Sequence, residues 1–199
     1  MIFELCTDSF KGAKLAQQYG AKRIELCSAL SVGGLTPSPT ITAICATIPQ
    51  VETHVMIRPR EGDFVYSAVE LEVMLKDIQL QAEAGAKGVV FGCLTKENSI
   101  DVQQNITLVE EARKYGLECT FHRAFDFVDS PIEALESLIN IGFKRILTSG
   151  GKPTAIEGIE EIRQLVEYAT GQLEIMAGSG VNALNAKALA SSGITALNF

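Results

Sequence analysis

No apolar run in this sequence approaches the ~18 residues that a membrane-crossing helix needs, and Met1 leads straight into Ile2-Phe3-Glu4-Leu5 without the basic and apolar regions of a signal peptide. The expectation is a cytoplasmic protein with no membrane partner. Cysteine pairs at metal-knuckle spacing are also lacking. The five cysteines, Cys6, Cys27, Cys45, Cys93 and Cys119, are odd in number and include no C-x-x-C, which argues against a disulfide framework and a structural zinc site. Basic residues are in deficit, 17 Lys and Arg against 24 Asp and Glu, for a formal net charge of −7. With no Lys/Arg stripe interleaved with aromatics, nucleic acid is not an expected partner. No G-x-G-x-x-G opens the first strand-to-helix unit, so a dinucleotide-binding doubly wound sheet is disfavoured and no organic cofactor is expected.

What is present is a weak internal repeat. Six times a helical pattern closes near a glycine and a strand-like run follows: "YGAKRIEL", "AGAKGVVF", "YGLECTF", "IGFKRIL", "TGQLEIM" and "SGITALNF". Gly20, Gly85, Gly116, Gly142, Gly171 and Gly193 read as helix C-caps, because glycine ends a helix cheaply in the left-handed conformation. Amphipathic stretches such as 69–84 and 155–169 lie between the strands, and strict strand–helix alternation demands a parallel sheet. Strands are expected near 2–6, 23–27, 52–57, 88–92, 117–122, 145–149, 173–177 and 195–199. Eight of them suit a closed (β/α)8 barrel, one α/β domain over 1–199 in which the eighth helix is missing from this chain.

Alternation along each strand then sorts residues between helices and barrel axis. Phe3, Leu5, Ile24, Leu26, Val55, Ile57 and Phe121 fall on the apolar outer side. Glu4, Cys6, Glu25, Cys27, His54, Met56, Arg58, Thr120 and His122 fall within. Sites of such barrels form at the C-terminal ends of strands, where Arg58, Arg60, Asp63, His122, Arg123 and Asp126 cluster. Glu4 and Glu25 are the natural counter-ions for Arg58. The glycine turns "TSGGK" and "AGSGV" offer backbone N–H donors at Ser149, Gly150, Gly151, Gly178 and Gly180 for an anion, although such glycines also serve simply to reverse the chain. One reading is therefore an enzyme acting on a small anionic substrate, with Arg58 and Arg60 clamping a carboxylate or phosphate and His122, Glu25 and Asp126 as the catalytic candidates. A plain salt-bridged plug and an idle assembly scaffold are the alternatives. Cys6 and Cys27 end neighbouring strands, so two inward thiols could meet; paired thiolates suit Cu(I), whereas buried free cysteines also serve as small apolar residues.

Four segments in order, "RIELCSALSVGGLTPS", "VMIRPREGDFVYS", "TFHRAFD" and "RILTSGG", resemble the CutC family of copper homeostasis proteins along nearly the whole chain. The resemblance implies a (β/α)8 barrel, a cytoplasmic location, homo-oligomers (dimer or larger) and a Cu(I) site at Cys6 and Cys27, with the lumen motifs carried by Glu25, Arg58, Arg60, Asp63, His122, Arg123 and Asp126. Asn198 departs from the family pattern, standing where a histidine is usual near the end of the last strand, and the family's C-terminal extension is not in this sequence.

Overall fold

The computed structural model describes residues 1–199 throughout. Eight parallel strands, β1 (Ile2–Thr7), β2 (Arg23–Leu26), β3 (Glu52–Met56), β4 (Gly88–Phe91), β5 (Glu118–Phe121), β6 (Arg145–Thr148), β7 (Glu174–Ala177) and β8 (Ala196–Asn198), close into a barrel in sequence order. The seam joins β1 to β8 with Ile2 opposite Ala196 and Glu4 opposite Asn198. Seven helices form the outer ring: α1 (Phe10–Gln18), α2 (Pro39–Cys45), α3 (Ala68–Glu83), α4 (Val102–Lys114), α5 (Pro131–Ile141), α6 (Ile159–Ala169) and α7 (Ala186–Ala190).

The helix boundaries follow local chemistry. Ser9, Ser38, Ser67 and Asp101 each accept a backbone N–H at a helix start, and Ser67 with Glu70 completes a capping box. All six glycines expected after helices adopt positive φ. Gly142 is itself the cap of α5: its own N–H donates to the carbonyls of Leu138 and Ile139, and the Phe143 N–H donates to that of Leu138. The helix read over 155–169 starts later, at Ile159, because residues 149–158 form a long turn.

The apolar core lies between sheet and helices. Val55, Val89, Phe91, Phe121 and Ile146 point outward onto Met74, Ile78, Leu108, Leu135, Leu138 and Ile162, as the alternation requires. Inside, the N-terminal half of the barrel is ionic. Arg23 pairs with Glu4 and reaches Glu174, while Arg145 pairs with Glu118, reaches the same Glu174 at 3.5 Å, and donates to Thr120 at 3.0 Å. Buried His54 lies 3.4 Å from Arg145, and its ring fills the space over Gly88 where a Cβ would collide. Burial, then the two guanidiniums, hold this imidazole neutral, well below the usual histidine range.

Candidate functional site

Above that ionic layer, at the C-terminal mouth, lies a cavity of about 390 Å³. Its floor is built by β1 and β2, whose register sets Cys6 opposite Glu25. The ligand atoms of Cys6, Glu25 and Cys27 all lie within 4.8 Å of one another, so the two neighbouring thiols meet, joined by a carboxyl. Asn198 bridges this floor to the layer beneath, donating to Glu4 at 2.6 Å and Glu25 at 3.1 Å. Burial, reinforced by the nearby Glu4 charge, raises the Glu25 carboxyl to about 7. The adjacent Cys6 thiol and burial push the Cys27 thiol well up.

Arg58 forms the cavity wall and is only 6% exposed. Neither Glu4 nor Glu25 is its counter-ion, contrary to the expectation from sequence. Glu4 lies one layer lower on Arg23, and Glu25 is turned to Asn198. The Arg58 guanidinium instead donates to the carbonyls of Val32 (2.8 Å), Gly34 (3.2 Å) and Gly62 (2.9 Å), stapling the β2–α2 loop to the β3–α3 loop. It also stacks 5.0 Å from the Phe64 ring centre, and that ring packs 4.8 Å from His122. Gly33 and Gly34, both at φ 87°, shape the stapled loop; a side chain at Gly34 would press on Cys27 Sγ.

His122 also lines the cavity. Its Nδ1 accepts the Ala124 N–H at 3.2 Å, which places the proton of the neutral ring on Nε2, and Nε2 is buried without a partner. Gly92 leaves room for the ring. Burial and then the Arg58 charge push this imidazole down to about 3. At neutral pH His122 is therefore a fixed N–H donor, and the group held near neutrality is Glu25. His122, a catalytic candidate on the expectation that a histidine titrates near neutrality, is held neutral there instead.

Other expected site residues are drawn elsewhere. Arg60 turns outward to Glu70, Asp63 and the Val65 carbonyl and stacks on Tyr66, so Arg60 and Asp63 brace the β3–α3 loop and do not join Arg58 in a clamp. Alternation explains this, since residues two apart share a side only while the chain stays extended, and Pro59 begins a turn. The "TSGG" concavity is filled by the protein itself. Asp126 accepts from Thr148, from the backbone N–H groups of Ser149 (2.9 Å) and Gly151 (3.2 Å), and from Arg123 at 2.8 Å. Ser149 and Gly151 thus form with Asp126 a self-contained anion site whose anion is Asp126, while the Gly150 N–H is taken by the Thr148 hydroxyl. Arg123, tied there, reaches only the cavity rim, and Gly150 packs on the Gly158 backbone. Gly178 and Gly180 make a turn: the Gly180 carbonyl accepts from Asn182 and Asn185, and of this loop Ser179 lines the cavity. Replacing Asp126 with Asn is expected to cost about 2–3 kcal/mol, since four charge-assisted contacts weaken together. Urea denaturation measures that loss, and amide exchange should quicken at Ser149 and Gly151 while β4 stays protected.

Arg23, Arg145, Glu118 and Glu174 were not singled out from the sequence. The signal existed: stepping back two residues from inward Glu25 reaches Arg23, and from lumen Thr120 reaches Glu118.

Fold and site together define a (β/α)8-barrel protein with a thiol–carboxyl cluster beneath an arginine-walled cavity. A CutC family profile matches residues 1–198, and the chain belongs to the CutC family. It is 46% identical over its whole length to a family protein CutC of Pasteurella multocida, covering 81% of that protein. It is 46% identical over 195 residues to the human copper homeostasis protein cutC homolog, covering 98% of this chain and 71% of that one. Among solved structures, a putative copper homeostasis protein CutC from Streptococcus agalactiae superposes with TM-score 0.94 at 33% identity, covering 100% of this chain and 97% of the other. A deoxyribose phosphate aldolase from Aeropyrum pernix, at TM-score 0.72 and 16% identity, shares the fold.

Proposed function

We propose that this chain is a copper homeostasis protein that binds Cu(I) through Cys6 and Cys27, with Glu25 as a neighbouring oxygen donor. One observation carries the reading: two thiols and a carboxyl converge within 4.8 Å at the base of a cavity open to the barrel mouth. Thiolates favour a soft monovalent copper ion. The ion is cargo here, and the protein's part is to supply sulfur at fixed separation in a shielded place. Because Cys27 is held as the neutral thiol, loading must expel a proton, so apparent affinity should rise with pH, by up to about tenfold per unit for each proton released. Names given to the relatives support copper handling, and the five free cysteines support a reducing, cytoplasmic setting. Homo-oligomer formation rests on the family resemblance.

The test is titration of reduced protein with Cu(I) against a chromogenic chelator. About one ion per chain is expected, with loss of binding in the Cys6→Ser/Cys27→Ser double variant. Undiminished affinity in that variant would leave the cysteines as packing residues.

A second reading, an enzyme or binding protein for a small anion in the same cavity, is favoured by Arg58, a buried guanidinium with no carboxylate partner among the protein's ion pairs.

A further inference from the structure

The charge pattern of the mouth narrows the class of that anion. Of the five N–H donors of a guanidinium, Arg58 commits two on Nη1 and one on Nη2 to backbone carbonyls, which leaves Nε–H and one Nη2–H; Nε is buried without a partner. Carbonyl dipoles orient the cation but do not neutralise it, and an uncompensated buried charge is costly. His122 Nε2–H is a second buried donor without a partner in the same cavity. Both orphaned donors belong to side chains that line this one cavity.

A phosphate would ask for more than the mouth offers. It is close to a dianion near neutral pH, and the backbone concavity that would cradle it already holds Asp126. Arg123, the other cation at the rim, is paired with that same carboxylate, and Lys152 is paired with Glu161 outside the cavity. Arg58 is left as the one cation of the cavity without a carboxylate pair, while Glu25 at the floor, raised to about 7, is held partly back from ionising. The surrounding wall is apolar, made by Met56, Phe64, Phe127, Leu147, Leu30 and Val32. The volume of about 390 Å³ falls within the ~300–1,000 Å³ of small-molecule sites.

We infer that the cavity takes a small monocarboxylate with an uncharged, largely apolar body, its carboxylate held by Arg58 and by His122 Nε2–H and its body against Phe64 and Met56. This rests on the second reading above and specifies its ligand. Planar carboxylate matches a guanidinium edge, and one negative charge answers one positive charge. The body occupies the space between the mouth and the Cys6–Glu25–Cys27 floor, so a bound acid would also cover the metal-binding residues from solvent.

Calorimetry on metal-free, reduced protein with benzoate, isovalerate, benzamide and inorganic phosphate tests it, alongside ¹⁵N-histidine NMR of the same samples. Saturable binding of a carboxylate at one per chain is expected, with benzamide and the Arg58→Lys variant at least roughly 30-fold weaker, since a bidentate charged contact is lost in both. The His122 Nε2 resonance of the wild-type protein should shift on binding, and His122→Asn should weaken it by roughly tenfold. The NMR arm keeps the test decisive should Arg58→Lys fail to fold, because Arg58 also staples two loops. Arg58-dependent binding of phosphate in preference to both acids would overturn the monocarboxylate while leaving the anion reading intact. Binding by no probe, or binding that neither shifts His122 nor depends on Arg58, would sink both.

Discussion

Replacing Arg23 with Met should destabilise the protein by about 3–5 kcal/mol, the penalty for stranding a partner of a buried ion pair. Glu4 is 1% exposed, and with Arg23 gone its carboxylate would keep only the neutral Asn198 amide as a donor. Glu174 would be left with Arg145 alone. At roughly 2–4 °C per kcal/mol for a chain of this size, the midpoint of thermal unfolding should fall by on the order of 10 °C. The companion experiment separates a stranded charge from lost packing. Arg23→Met/Glu4→Leu removes both charges, and because apolar pairs of similar volume often match or exceed a buried ion pair, most of the stability should return. If the double variant is as unstable as the two single losses added together, the layer contributes through packing and not through charge.

Acid should weaken the fold through His122. Its folded value of about 3 lies below the ordinary 6.5, so the neutral ring stabilises the folded state above pH 6.5, and that contribution disappears as pH falls through about 3. At ~1.4 kcal/mol per pH unit the whole loss is about 5 kcal/mol, of which about 2 should be seen between pH 6.5 and 5. Charged and titratable side chains sharing the cavity are Arg58, Arg123, Glu25, Cys6 and Cys27. Arg58 opposes protonation, whereas Glu25, raised to about 7, acts in the other sense, since its own penalty is relieved as pH falls from 7 toward 4.5. His54, likewise held neutral, adds to the acid loss from the layer below. His122→Asn, whose Oδ1 can accept the Ala124 N–H, should therefore flatten the profile by His122's share while leaving that of His54. Stability from urea midpoints at pH 5 and 7 supplies the comparison, and an equal pH slope in variant and wild type would show that the His122 ring is not held neutral.

Both predictions concern residues whose inward direction was readable and whose partners were not. Alternation of side chains is a property of each extended segment, so "FELC", "RIELC" and "HVMIR" by themselves place Glu4, Glu25, Cys6, Cys27 and Arg58 inside the barrel, and the glycine punctuation sets the eight-unit repeat. Partner choice among those charges depends on the stagger between strands and on where loops fold back. The stagger sets Glu4 opposite Arg23 and Glu25 opposite His54, four residues short of Arg58 on the same strand path. Asp126, twenty-three residues before Ser149, reaches the "TSGG" turn only because a short 3-10 helix after β5 (Arg123–Phe127) brings it across to β6, which closes the concavity that looked free in the linear chain. The histidine shows the same division: its residue type suggests titration near neutrality, but burial and an adjacent guanidinium, both tertiary, set it low and give the near-neutral position to Glu25. What a segment presents is decided by its own covalent geometry, whereas what it meets is decided by closure of the barrel, because only closure sets distances between charges far apart in the chain.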